Sequence, residues 1–191
     1  VDIPAIERAA MRHGAARTGK GLLKFKKKKT AAVFGAELFT LIVAGELAGK
    51  SYPTKFYVSE GSAEELIDKC APFLPADIRA AETGRLGAMD IELKFGSELT
   101  AELVRGSGAD IVCVSREVLA LLGPAAEPDP VTLYCGEQGA LARTGEEGGV
   151  IGAFYDARRA GVSADRLAQG MAPDTMRGEE GPVESRLYTD L

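Results

Sequence analysis

Residues 95–115, FGSELTAELVRGSGADIVCVS, decide the fold. The turn Gly96-Ser97 ends an alternating run in which Ile91, Leu93 and Phe95 share one face, the period of a half-covered strand. Ser97 is a natural N-cap for a helix predicted over 98–105, with Leu99, Leu103 and Val104 pointing one way. Gly106–Gly108 closes that helix. Ile111-Val-Cys-Val114 is apolar on both faces, as a covered, central strand must be. The stretch therefore reads as one β-α-β unit.

The same alternation extends outward. Lys55–Ser59 reads as a strand. The Ser62…Glu65 spacing of a capping box opens a helix carrying Leu66, Ile67 and Cys70, which stops near Pro72–Pro75. Residues 76–90 admit either a helical turn or a loop. Ser115 caps a helix carrying Val118, Leu119 and Leu122, which ends at Gly123-Pro124, and Val131–Cys135 reads as a further strand. The order predicts an α/β domain: a mainly parallel or mixed sheet with helices packed on it.

Around this core, 30–135, the sequence predicts a basic N-terminal arm, 1–29, and a Gly/Pro-rich extension, 136–191, made of a helical hairpin and an extended acidic tail. Residues 30–49 read as one helix. Its apolar run Ala31–Gly49 could just span a bilayer, but Glu37 and Glu46 interrupt it on different helix faces. A buried or partner-packed helix is the better expectation, and membrane contact is not favoured.

The chain has 191 residues, 46% hydrophobic and 27% charged, with a net charge of −5. Residues 1–29 hold nine Lys/Arg against two acids, so a basic arm sits on an acidic body. Lys24, Lys26, Lys27, Lys28 and Lys29 would precede the 30–49 helix, where cations oppose the helix dipole. They are therefore expected to serve a contact, with an acidic or anionic surface of a partner. The acidic balance disfavours nucleic acid. A single His and no Trp remove most imidazole-based catalysis and most His-ligated metal sites. Three cysteines without CxxC spacing point to a reducing compartment, organellar or cytoplasmic, with Cys113 a small core hydrophobe.

Three candidate sites remain. The turns Gly61-Ser62 and Gly96-Ser97 lie at the carboxyl ends of strands, where helix N-termini can receive an anion. The order FYVSEGSAEEL…LKFGSELTAELVRGSGADIVCVS resembles, over about 60 residues, the first lobe of type II solute-binding proteins of the molybdate and tungstate kind. That resemblance implies an oxyanion held by Ser62 and Ser97. Second, Ala157…Gly161-Val-Ser163…Leu167 has helix-turn-helix spacing, with Arg158, Arg159 and Arg166 available for phosphates, although the surrounding tail is acidic. Third, Cys135 just beyond a strand lacks a base, since His13 is the one imidazole and lies in the arm. No Walker loop, dinucleotide fingerprint or metal-ligand spacing is present, so no cofactor or metal is expected.

These readings rank a non-enzymatic structural or accessory subunit first. It would belong to a large assembly, an organellar or membrane-associated complex or a shell lattice, with arms latching other protein subunits. A small-anion or solute-binding domain and a DNA-binding protein follow.

Overall fold

The computed structural model describes residues 25–122 and 150–171, the backbone of 132–135 and 140–149, and the helical residues Ile6 and Ala9. Expectations for the rest of the arm, including His13 and Lys24, and for the tail beyond 171 lie outside these residues.

Five strands, β1 (Ala31–Phe34), β2 (Thr54–Tyr57), β3 (Ile91–Lys94), β4 (Ile111–Val114) and β5 (Thr132–Cys135), form one parallel sheet in the order β3-β2-β1-β4-β5. Between and after them run α1 (Leu38–Gly49), α2 (Ala63–Cys70), α3 (Ala76–Ala88), α4 (Ala101–Arg105), α5 (Arg116–Leu122) and α6 (Ala140–Ala168). The predicted α/β class holds. The order is also that of doubly wound dinucleotide-binding sheets, with a switch point between β1 and β4.

The central strand was not expected. Residues 30–49 were read as one helix, but Ala31–Phe34 lies in the sheet, with Val33 in register with Phe56 on one side and Cys113 on the other. Ala31 and Val33 enter one core cluster, while Ala32 and Phe34 enter the other. All four are buried, as a two-sided covered strand requires. Gly35, at φ +100, then turns the chain into α1, a conformation that L side chains rarely adopt. The 19-residue apolar run is thus split, and among the described residues no helix is long and apolar enough to cross a membrane.

Helices α1, α2, α3 and α6 contribute to the cluster on one sheet face, with Phe39, Val43, Leu47, Leu66, Ile67, Leu86, Ala157, Ala160 and Ala164 among its members. Helices α4 and α5 cover the other face at β1 and β4, through Val104, Val118 and Leu122. Helix α1 is apolar all round because the sheet covers one side and α6 the other.

The hairpin expected in 151–170 is absent. Helix α6 runs unbroken through Gly161 and packs on α1 within the main core. Ala157, Ala160, Gly161, Ala164 and Ala168 are small because α1 approaches closely: a Cβ on Gly161 would lie 2.9 Å from Glu46 Cβ. With no turn at 161, the geometric basis of the helix-turn-helix reading is gone.

This packing has a measurable consequence. Gly161→Leu would gain about 1 kcal/mol of helix propensity on an open helix face. Against Glu46 it is expected instead to lose roughly 1–3 kcal/mol in urea unfolding. A neutral or stabilising result would remove α6 from this position.

Candidate functional site

Open parallel sheets bind ligands beyond the carboxyl ends of their strands, at the switch point. Among the described residues that edge comprises Gly35–Glu37 after β1, Val58–Ser62 after β2, Phe95–Ser97 after β3 and Ser115–Glu117 after β4.

At β1 the turn Gly35-Ala-Glu-Leu-Phe-Thr40 occupies the place of a dinucleotide fingerprint, with Gly35, Glu37 and Thr40 where that pattern has glycines. Only the first glycine is kept. A Cβ on Gly35 would lie 2.1 Å from Ser115 Oγ, so the β1 and β4 turns are in direct contact. Thr40, fully buried, accepts the Glu37 N–H at 3.1 Å and lies 2.7 Å from the Gly35 carbonyl, to which its hydroxyl donates. In a dinucleotide site the second glycine lets backbone approach a pyrophosphate. Glu37 puts a carboxylate there, and its own amide is engaged by Thr40.

The Glu37 carboxylate lies near the backbone N–H groups of Arg116 and Glu117, the first turn of α5, which favour its ionised form. It takes the position an anionic ligand would take on those amides. Burial, with the nearby Glu117 carboxylate, pushes its pKa above the usual range, outweighing the two amides and Arg116.

The acid beyond β2 is engaged as well. Glu60, near where such folds hold a ribose, accepts from Lys69 Nζ at 2.7 Å and from Ser59 Oγ at 3.3 Å. Burial works to raise its pKa but is outweighed by the Lys69 hydrogen bond, which holds the carboxyl below its ordinary value.

The turns Gly61-Ser62 and Gly96-Ser97 are neighbours in space, as the anion reading required. Gly96 N–H donates to the Glu60 carbonyl at 2.8 Å and Ser97 N–H to the Val58 carbonyl at 2.9 Å. Ser62 caps α2 as expected, accepting from Glu65 N–H at 3.2 Å, while Glu65 Oε2 accepts from Gly61 N–H at 2.8 Å. Ser97 is not a cap. Its hydroxyl donates to the Lys94 carbonyl at 2.9 Å, and α4 begins three residues later than expected, with Thr100 accepting from Leu103 N–H at 3.2 Å. Thr100 takes the role because Gly96, at φ +63, and Ser97 fold back onto the β2 loop. No helix N-terminus faces the cradle from β3, and the amides of Gly61, Gly96 and Ser97 all have partners in the chain.

The lysine run departs furthest from expectation. Lys26 pairs with Asp90 at 3.0 Å, and Lys27 stands 4.2 Å over the Tyr52 ring and pairs with Asp165. Lys29 donates to the Ala168 carbonyl at the end of α6. Two of the lysines expected to hold a partner, Lys27 and Lys29, thus hold the chain's own α6, with Lys29 at the negative end of its dipole, while Lys26 pairs with Asp90 just before β3. Tyr52 Oη also donates to Asp165 at 2.6 Å. Burial would raise the Asp165 pKa, but hydrogen bonds from Lys27, Tyr52 and Gln169 hold it below the usual range. Lys28 is exposed.

The side chain of the candidate Cys135 lies outside the described residues. Cys113 is buried in the core cluster as expected. Cys70 is buried too, and burial pushes its thiol up to about 12, far from a nucleophile's range. Among the described residues no group of His, Cys, Asp and Glu could hold a metal ion. A hollow of about 350 Å³ lies at the opposite, amino edge of the sheet, between Lys26, Lys55, Asp90 and Glu92. Its charges are mixed, and Lys26 and Asp90 pair across it.

The sequence matches no known protein family, and no curated protein matches it. Partial likenesses exist among solved structures. A histamine dehydrogenase from Rhizobium sp. 4-9 aligns over 51% of this chain and 16% of its own, at 22% identity and a TM-score of 0.38. The 6-hydroxypseudooxynicotine amine oxidase of Pseudomonas geniculata N1 aligns over 56% of this chain and 17% of its own, at 20% identity and 0.36. An imine reductase from Myxococcus stipitatus (V8 variant), in complex with NAD+, aligns over 66% of this chain and 38% of its own, at 19% identity and 0.31. The chain thus spans well under half the length of each.

The Glu37 geometry sets a pH dependence. A carboxyl whose pKa rises on folding contributes stability while protonated, and that contribution is lost as pH rises through the folded value. Glu37→Gln, which keeps an acceptor oxygen for the α5 amides, is expected to be more stable than the parent at about pH 7, with the gap narrowing toward about pH 4.5. Urea unfolding at several pH values measures this. A Gln variant less stable at neutral pH would show that the ionised carboxylate is the favoured form.

Proposed function

We propose that the chain acts as a non-enzymatic structural or accessory subunit of a larger protein assembly, on a dinucleotide-type sheet whose ligand edge is closed by its own side chains. The observation that carries this reading is the Glu37 carboxylate beside the Arg116 and Glu117 amides. A phosphate brought there would face a buried acid and would have to displace it from those amides. The engaged Glu60 and the bonded amides of the two Gly-Ser turns point the same way.

An interaction role is supported by large apolar side chains at the surface. Phe25, Phe73, Leu121 and Ile151 are exposed on different parts of the molecule. Scattered singly they would need no account, but those on α6 are contiguous.

Calorimetric titration with NAD+, FAD and ATP is expected to give no heat of binding up to about 1 mM ligand, where the binding free energy is only about −4 kcal/mol. Saturable binding of any of them to the unaltered protein, abolished by Gly35→Val, would overturn the closed-edge reading. Size fractionation of a native extract, followed with an antibody, is expected to place the chain in a high-mass fraction. Recovery solely at the mass of the free chain or a simple dimer would contradict the assembly role.

A further inference from the structure

Helix α6 meets the core through a face that tolerates water. Among its described residues, Ala157, Ala160, Ala164 and Ala168 enter the main cluster, and the partly buried Leu167 is the largest side chain packed against it. Gly152, Asp156, Gly161 and Ser163 are buried as well. An Ala, Gly or Ser removes little apolar surface from water, the quantity on which hydrophobic stabilisation depends. The helix beneath is built differently: Phe39, Val43 and Leu47 of α1 are buried in that cluster, with Leu41 and Ile42 packed against it.

Polar bonds hold the carboxyl end of α6. The segment 25–30 is itself fixed to the body, with Lys27 N–H donating to the Ser51 carbonyl at 2.8 Å and Thr30 N–H to Asp110 Oδ2 at 2.8 Å. From this fixed strap the Lys27 side chain reaches Asp165, and Lys29 reaches the Ala168 carbonyl. Tyr52 Oη donates to the same Asp165 carboxylate at 2.6 Å, and Gln169 Nε2 at 2.8 Å. Further along, Arg158 Nε lies 3.7 Å from Glu46 Oε1 of α1. The Lys27 and Asp165 side chains are 34% and 20% exposed, so dissolved ions reach the pair.

We propose that α6 is a detachable cover of α1, latched at its carboxyl end by Lys27 and Lys29, which opens as a unit when the latch loses its charge while the sheet stays folded. The strap remains in place on opening, because its backbone bonds go to the body and only its side chains go to α6. The small and polar inner face of α6 returns to water at little cost, whereas opening uncovers the apolar side of α1. Such a unit opens below the free energy of global unfolding, as elements with few large buried side chains do. The device goes beyond the assembly role and does not depend on whether the sheet edge is closed.

Amide hydrogen exchange of the full chain, read by mass spectrometry separately for α6 and for β1 and β4, tests this. In the unaltered chain α6 is expected to exchange faster than the two strands. Raising sodium chloride from about 0.05 M to about 1 M, where the screening length falls to about 3 Å, is expected to speed α6 roughly threefold and leave β1 and β4 unchanged. Lys27→Gln and Asp165→Asn are each expected to speed α6 at least about tenfold. The double variant is expected to add little to either, since both remove one interaction. The salt series on the unaltered chain carries the test even if a variant fails to fold. One common rate for α6, β1 and β4, or an α6 rate indifferent to salt and to both variants, would overturn the proposal.

Discussion

The turn at Gly35 is the constraint on which the rest of the structure depends. Its φ of +100 lets β1 end inside the sheet and reverse directly into α1, while Ser115 approaches closer than any Cβ could tolerate. Three consequences share this one contact. β1 is held between β2 and β4, joining the two halves of the sheet. Helix α1 starts over the face that α6 will cover. Glu37, two residues on, comes within reach of the first turn of α5 and occupies amides that a ligand would otherwise use. The topology is one that elsewhere binds dinucleotides, while the residues at its switch point satisfy one another.

The charges follow the same inward logic. A basic arm on an acidic body suggests a partner, because like charges clustered on a flexible segment usually meet something else. Here the something else begins within the chain. Lys27 and Lys29 reach the last turns of α6, where a cation is favoured by the dipole and by Asp165. Lys27 is only partly exposed, and it ties the start of the described core to an element about 140 positions later. The arm thus fastens α6 against α1 and leaves the outer face of α6 as the exposed apolar surface.

How much of this was legible in the sequence varies with the element. β2, β3, β4 and β5, the Ser62 cap, the Ser115 cap and the Gly106 stop could be read, because each is bounded by residues with a single strong preference. β1 could not. Ala31–Phe34 runs into an equally apolar helix with no polar boundary, and Gly35 is the one local sign of a break. Helix α6 was obscured by its glycines at 145, 148, 149, 152 and 161, each unfavourable to a helix by about 1 kcal/mol relative to Ala. At 161 that deficit permits the close approach to Glu46, a tertiary gain invisible in the local pattern. Ser97 and Thr100 are both good caps, and the choice between them is made by hydrogen bonds to the β2 loop, which come from far along the chain. The closed ligand edge was hidden for the same reason: Glu37 meets its amides about 80 residues away.

The most direct test of the central claim, a ligand edge filled by the chain's own acid, is a nuclear magnetic resonance titration of the Glu37 carboxyl carbon, read together with the amide protons of Arg116 and Glu117. The expected result is a midpoint above the usual glutamate range, with both amide signals moving at that same midpoint as the carboxylate is lost. A midpoint at the ordinary glutamate value, with amides indifferent to it, would place Glu37 in solvent and leave the edge open.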